Sequence, residues 1–185
     1  MFKHLLRLIL ALTMAAGLSM LAVIAGCMDS VADSREQMEM VLETFPSTVE
    51  VSEIPASRGA ESSQRPGAAG ISEIKGASGP LGYCVESEVA GRSGPFRIRV
   101  LVDPQLVIVR AAVISYPWTR GRDVCTSAFS DQFRGKGPGD SIEVGEDIDA
   151  MSGATISCDA MTGGVREALR LLEHVKSTSS QNRQK

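Results

Sequence analysis

The residues best placed to do chemistry lie in one short stretch, Asp149-Ala150-Met151-Ser152-Gly153-Ala154-Thr155. It joins a charged turn, 146–149, to an amphipathic run, and it combines a carboxylate, two hydroxyls and a pair of small residues. Thr155 falls where that run begins as a helix. The first backbone N–H groups of a helix have no intrahelical acceptor and stand at the positive end of its dipole. A phosphate esterified to Thr155 would accept from them, so the spacing favours a phosphoryl group at this hydroxyl. Gly153 and Ala154 remove side-chain bulk beside it, and Ser157 and Asp159 are alternative caps that leave the helix start uncertain by a turn.

Elsewhere the sequence offers no second site. The two histidines are His4 and His174, and the serines therefore lack a partner for nucleophilic catalysis. The four cysteines, Cys27, Cys84, Cys125 and Cys158, contain no CxxC pair, which argues against zinc. No catalytic residue and no metal ligand is expected. Cys84 and Cys125 could pair in an oxidising compartment, but spacing does not show that their Cβ atoms meet. A formal net charge of −3 makes nucleic acid a poor partner.

These residues need a scaffold, and the periodicities supply an α+β one, an antiparallel sheet packed by helices. Residues 71–75 and 81–90 read as strands around the turn Gly76-Ala77-Ser78-Gly79. Phe96, Ile98, Val100 and Val102 alternate with Arg97, Arg99, Leu101 and Asp103, which predicts a strand with Arg97 and Arg99 outward. The apolar run 106–115 predicts a central strand buried on both sides. A short helix is expected over 123–133, with Cys125, Ala128, Phe129, Gln132 and Phe133 on one stripe. The last helix is expected from about Ile156 to Val175, with Met161, Val165, Ala168, Leu169 and Leu172 inward and a frayed polar tail after it.

Before the sheet come a tether and a spacer. Lys3 and Arg7 precede an uncharged run from Leu8 to Gly26, long enough to cross a bilayer as a helix of about 30 Å. The positive-inside bias would export everything after it. Ile24-Ala25-Gly26-Cys27 also fits a lipoprotein box, with lipid on Cys27. A helix is expected over 31–45, with Met38, Val41, Leu42 and Phe45 on one face and Pro46 as its stop. The stretch 55–70, rich in Gly, Ser, Pro and Ala, reads as linker. The expected division is an anchor or lipoprotein signal over 1–28, a juxtamembrane helix and linker over 29–70, a folded domain over 71–175 and a disordered tail over 176–185.

The stretch 149–155 fits the pattern Asp-x-x-Ser/Thr-Gly-Ala-Thr, and in this it resembles the covalently flavinylated FMN-binding domain family. That family includes the G subunit of Rnf electron-transport complexes and the C subunit of sodium-translocating NADH:quinone reductase. Gly82-Tyr83, the segment 91–102 with its Gly94-Pro95 step, and Asp131-Gln132-Phe133-Arg134-Gly135-Lys136 look like family features in the same order, so the resemblance covers roughly 71–172. It implies FMN joined through its phosphate to Thr155 by a Mg-dependent flavin transferase, with Asp149, Ser152, Gly153 and Ala154 as the recognition positions. It implies as partners the membrane redox subunits of an electron-transport complex, and membrane lipid at the N-terminus.

The expected location is the bacterial inner membrane, single-pass, with the C-terminal domain on the extracytoplasmic side. Tyr116-Pro117-Trp118-Thr119-Arg120-Gly121 departs from the Glu-Thr-Pro-Gly usual in those two subunits. It is more like the FMN-binding domains of shorter or regulatory membrane flavoproteins. A stand-alone FMN electron carrier or redox sensor is the alternative in the same class, and a cofactor-free lipoprotein binding module is the alternative in another. Tyr83, Tyr116 and Trp118 could stack on the flavin or serve as packing anchors. Cys158 would face about 60° away from Thr155 and reads as a small buried residue.

Overall fold

A computed structural model describes residues 38–54 and 70–182. The chain divides into two units, Met1–Glu43 and Thr44–Lys185. The anchor, the lipoprotein box and most of the linker expected from the sequence lie outside the described residues. Among the described residues no helix is long and apolar enough to cross a membrane. Residues 38–44 are helical. Of the predicted stripe Val41 is buried, whereas Met38 and Leu42 are exposed.

The second unit is an α+β fold on one antiparallel sheet. Its strands are β1 (Thr48–Glu53), β2 (Gly70–Gly76), β3 (Gly79–Ala90), β4 (Pro95–Val102) and β5 (Ile108–Ser115), and each pairs with its sequence neighbour in the order β1-β2-β3-β4-β5. From β2 to β5 the meander has only short connections, and Gly91 N donating to Gly94 O at 3.0 Å closes the turn between β3 and β4. β1 lies ahead of the expected domain start. Its residues alternate too weakly to announce a strand, and its pairing with β2 is what makes it one.

Two strand readings change in the fold. β5 is an edge rather than a central strand. Its outer side is closed at one end by the loop after the short helices: Ile108 N donates to Lys136 O, and Gly135 N donates to Ile108 O, each at 2.8 Å. Arg97 and Arg99 do share a face, but Arg99 is only 1% exposed. Its guanidinium is held by Glu86, directly opposite on β3, at 2.8 Å, and Arg97 takes the other carboxylate oxygen at 2.8 Å. A buried guanidinium is tolerable only with such a partner, and alternation alone could not show that the partner was there.

After β5 the expected single helix is three short pieces: a 3-10 turn at Arg122–Cys125, α1 (Ser127–Ser130) and a second 3-10 turn at Asp131–Phe133. Val124, Phe129 and Phe133 are fully buried, and the two phenylalanine rings meet edge to face at 5.4 Å. Cys125 and Ala128, expected on the same stripe, are exposed. Cys125 is not bridged to the buried Cys84.

The last helix, α2 (Thr155–Asn182), lies across β3 and β4. Met161, Val165, Ala168, Leu169 and Leu172 enter one core with Val85, Ile98, Val100 and the two phenylalanines, as their spacing predicts. The helix runs past Val175, so the expected frayed tail is helical as far as Asn182. Lys176 reaches Pro104 O at 2.5 Å, and Ser177 and Thr178 return their hydroxyls to His174 O, which extends the helix beyond its apolar stripe.

Candidate functional site

Thr155 is the first residue of α2, and Cys158 N makes the first i to i−4 bond, to Ala154 O at 2.9 Å. The N–H groups of Thr155, Ile156 and Ser157 therefore have no acceptor within the helix. These three residues line a cleft of about 380 Å³ whose walls also include Gly153, Ala154, Arg92, Arg120 and Gly121. Thr155 and Ile156 are exposed, so the hydroxyl can be reached from solvent. Among the described residues, the cleft walls contain no aspartate or glutamate.

Each side of this cleft is fixed by a specific contact. Tyr116 donates its phenolic proton to Arg120 O at 2.7 Å, so its 3.0 Å contact with Ser157 must have the serine hydroxyl as donor. One side chain thus joins the loop after β5 to the first turn of α2. Gly121 sits beneath that bond with φ +80, and a Cβ there would come within 2.6 Å of the Tyr116 oxygen. The phenol ring itself packs on Phe96 at 5.1 Å. On the opposite wall the Trp118 indole donates to Pro95 O at 2.8 Å and covers Gly94, which fastens the turn carrying Arg92 and Ser93 to the same loop.

The five motif residues fare differently. Gly153, Ala154 and Thr155 line the cleft together, whereas Asp149 and Ser152 do not. Asp149 is exposed, and its main chain is paired by one amide: Gln132 Oε1 accepts from Asp149 N at 2.7 Å, and Gln132 Nε2 donates to Asp149 O at 3.1 Å. Ser152 is exposed. Gly153 adopts φ +80 with open space around a would-be Cβ, so glycine is required by backbone conformation rather than by bulk. Ala154 is only 3% exposed, and its methyl fills the core instead of clearing room beside Thr155.

Cys158 is fully buried, and its sulfur accepts from Met151 N at 3.4 Å, tying the loop back to the helix. Burial pushes its thiol above the usual cysteine range, with the Met151 contact working weakly against that, so it is a neutral packing group.

Behind the loop, Asp147 accepts from Lys136 Nζ at 2.6 Å and from Glu143 N at 2.8 Å. The Lys136 contact first, then the backbone donors, hold its carboxyl below the usual range. Among the described residues no cluster of His, Cys, Asp and Glu could hold a metal ion.

Reasoning from sequence missed Arg92, Ser93 and Arg120 as site residues. The only available signal was their closeness to glycines in two separate turns, and nothing in one dimension says that those turns converge. It also left open whether Tyr116 and Trp118 face a ring or a core. Both are committed to holding the cleft walls.

An exposed helix-start threonine and two arginines line this cleft, whose volume is in the range of small-molecule pockets. Residues 91–170 match the family model of the FMN-binding domain. Over this segment the chain is similar to the FMN-binding domain family, which supports FMN as a cofactor. The chain is also similar to the G subunit of the proton-translocating ferredoxin:NAD(+) oxidoreductase complex of Clostridium ljungdahlii, at 33% identity over 97 residues. That match covers 48% of this chain and 52% of the relative, so the chain spans about half the length of the curated relative it matches.

Proposed function

We propose that FMN is held on Thr155 by a phosphoester and that the protein relays electrons as a membrane-held flavoprotein, the G-type subunit of an Rnf-like complex. The observation that carries this reading is the position of Thr155. Its exposed hydroxyl stands at the mouth of α2, in the same cleft as Arg92 and Arg120 and inside the matched segment. Attachment forms a bond from Thr155 Oγ1 to phosphorus as the hydroxyl proton and the leaving group of an activated flavin nucleotide depart. Bound flavin would supply one- or two-electron chemistry.

The remaining contributions come from the chain. The helix start and the two arginines would receive the phosphate, Gly153 sets the backbone path into Thr155, and Gln132 fixes the segment that carries Asp149. With Asp149, Ser152 and Ala154, Gly153 completes the stretch that a Mg-dependent flavin transferase would read. A tether makes occupancy independent of free FMN, which is an advantage outside the cytoplasm, and the N-terminal anchor or lipid would keep the domain near membrane redox partners. The FMN-binding match weighs against a cofactor-free lipoprotein module.

Denaturing gels test the attachment. Protein made in a host with the transferase is expected to show a fluorescent flavin band that Thr155→Ala removes, and a dark wild-type band would overturn the proposal. Intact mass of membrane-extracted protein reports flavin and Cys27 lipid together.

One observation favours a stand-alone carrier in the same class. The segment Tyr116–Gly121, where the chain departs from the two ion-pumping subunits, supplies a wall of the cleft through Arg120 and Gly121. Co-purification with integral-membrane subunits in mild detergent supports the complex, and consistent elution alone supports the carrier.

A further inference from the structure

We infer that a second cavity, between α2 and the loop at 141–148, is a binding site for a primary ammonium group on an alkyl stem. The cavity measures about 310 Å³ and is lined by Glu143, Val144, Asp159, Thr162 and Arg166. It shares no residue with the cleft at Thr155. Asp159, Thr162 and Arg166 follow one another at spacings of three and four residues, which puts them on one face of α2.

Two polar groups on this wall are left unsatisfied. Thr162 is only 2% exposed, and its hydroxyl has no hydrogen-bond partner. A hydroxyl that has given up water normally bonds to protein, so one that does not, on the wall of a cavity, marks a place where a ligand can complete the bond. Among the described residues Asp159 has neither a hydrogen bond nor an ion pair. Glu143 is the tied member of the set. Its Oε1 takes Arg166 Nη1 at 2.9 Å, and its N–H donates to Asp147 Oδ1 at 2.8 Å. Its carbonyl accepts from the N–H groups of Glu146, Asp147 and Ile148, so the loop backbone that forms this wall is already built.

With Glu143 neutralised by Arg166, Asp159 is the uncompensated charge, and the cavity is matched by one cation. Two carboxylates are too few oxygen ligands for calcium or magnesium, and among the described residues no group of His, Cys, Asp and Glu could hold a metal ion. An ammonium has three donors and no acceptor. The wall offers it the Asp159 carboxylate, the Thr162 hydroxyl and the Glu143 oxygen that Arg166 leaves. The planar fork of a guanidinium would match one carboxylate but not this dispersed set. Val144, partly buried against the core, gives the alkyl stem an apolar surface.

The test titrates the isotope-labelled full chain in detergent with Nα-acetyl-lysine methylamide, following backbone amide resonances. Saturable shifts are expected at Asp159, Thr162 and Arg166. The Nε-acetylated form of the same compound keeps the stem and loses the charge, and it should bind at least about tenfold more weakly. Because Asp159 is exposed, salt should weaken the binding. Asp159→Asn should cost about tenfold in affinity. Thr162→Val removes only the hydroxyl, and it should weaken binding by about threefold to tenfold without lowering the melting temperature, since that hydroxyl makes no bond in the fold. n-Butylamine separates two sources of the group. Affinity equal to that of the lysine compound assigns a free amine, and clearly weaker binding assigns a lysyl side chain whose main chain adds contacts.

No saturable shift, shifts scattered away from the cavity, equal binding of the charged and acetylated compounds, or an affinity unchanged in Thr162→Val overturns the site. A lower melting temperature in Thr162→Val also overturns it, because the hydroxyl would then have a partner within the protein. If Asp159→Asn fails to fold, the comparison of the two lysine compounds on the wild type still decides.

Discussion

At the scale of single residues the site depends on hydroxyls with unequal duties. Thr155 is exposed and uncommitted, while the Ser157 hydroxyl, two residues on, is 2% exposed and spends its proton on Tyr116. Tyr116→Phe should therefore cost about 1 kcal/mol in chemical denaturation, the usual net value of such a bond. Its second effect should be greater mobility of the loop that carries Arg120, visible as weaker FMN binding. Gly121→Ala is the harsher change, because it meets both a left-handed φ and the Tyr116 oxygen. A loss of about 1–3 kcal/mol is expected from that strain, measured by the same denaturation.

At the scale of elements, the loop carrying Asp149 to Thr155 has no regular structure of its own and is held by side chains from elsewhere. Gln132, on the second 3-10 turn, pairs with both main-chain groups of Asp149 as a neighbouring strand would. Gln132→Ala should leave the melting temperature nearly unchanged while slowing flavin attachment, read as a fainter fluorescent band at a fixed expression time. If the band is undiminished, the transferase does not need this loop ordered. Arg99 shows the opposite balance. Its loss would leave Glu86 in a largely buried place without one of its two cations, so Arg99→Ala should destabilise by about 3 kcal/mol with little effect on FMN recognition.

For the whole molecule, the acid limit of stability has an identifiable contributor. Asp147 is held below the usual carboxylate range by Lys136, so the folded state favours its ionised form. The resulting stability is present above the unfolded-state value and is lost as pH falls through the lower folded-state value. Thermal melts should therefore decline at acid pH in the wild type, and Asp147→Asn should flatten that part of the decline. A curve of unchanged shape would show that other carboxylates dominate. Thiol accessibility gives an independent check on the fold: Cys125 is exposed, so an alkylating reagent should reach it well before the buried Cys84 and Cys158.

Much of this architecture follows from local pattern. The inward stripe of α2 and the alternation of β4 are set by spacings that persist wherever the chain folds, because 3.6- and 2-residue periods put the same side chains on one face. Thr155 at a helix start belongs to the same class, since a helix terminus is a property of the neighbouring residues. Tertiary structure decided the rest. It made 48–53 a strand by giving it β2, moved 108–115 from the centre of the sheet to its edge, buried Arg99 by supplying Glu86, and broke one expected helix into three turns around Phe129 and Phe133. It also gathered Arg92, Arg120 and Thr155 around one cleft from segments far apart in the chain. The period of a segment records which way its own side chains point, but what they meet depends on the closure of loops whose ends carry no mark of their partners.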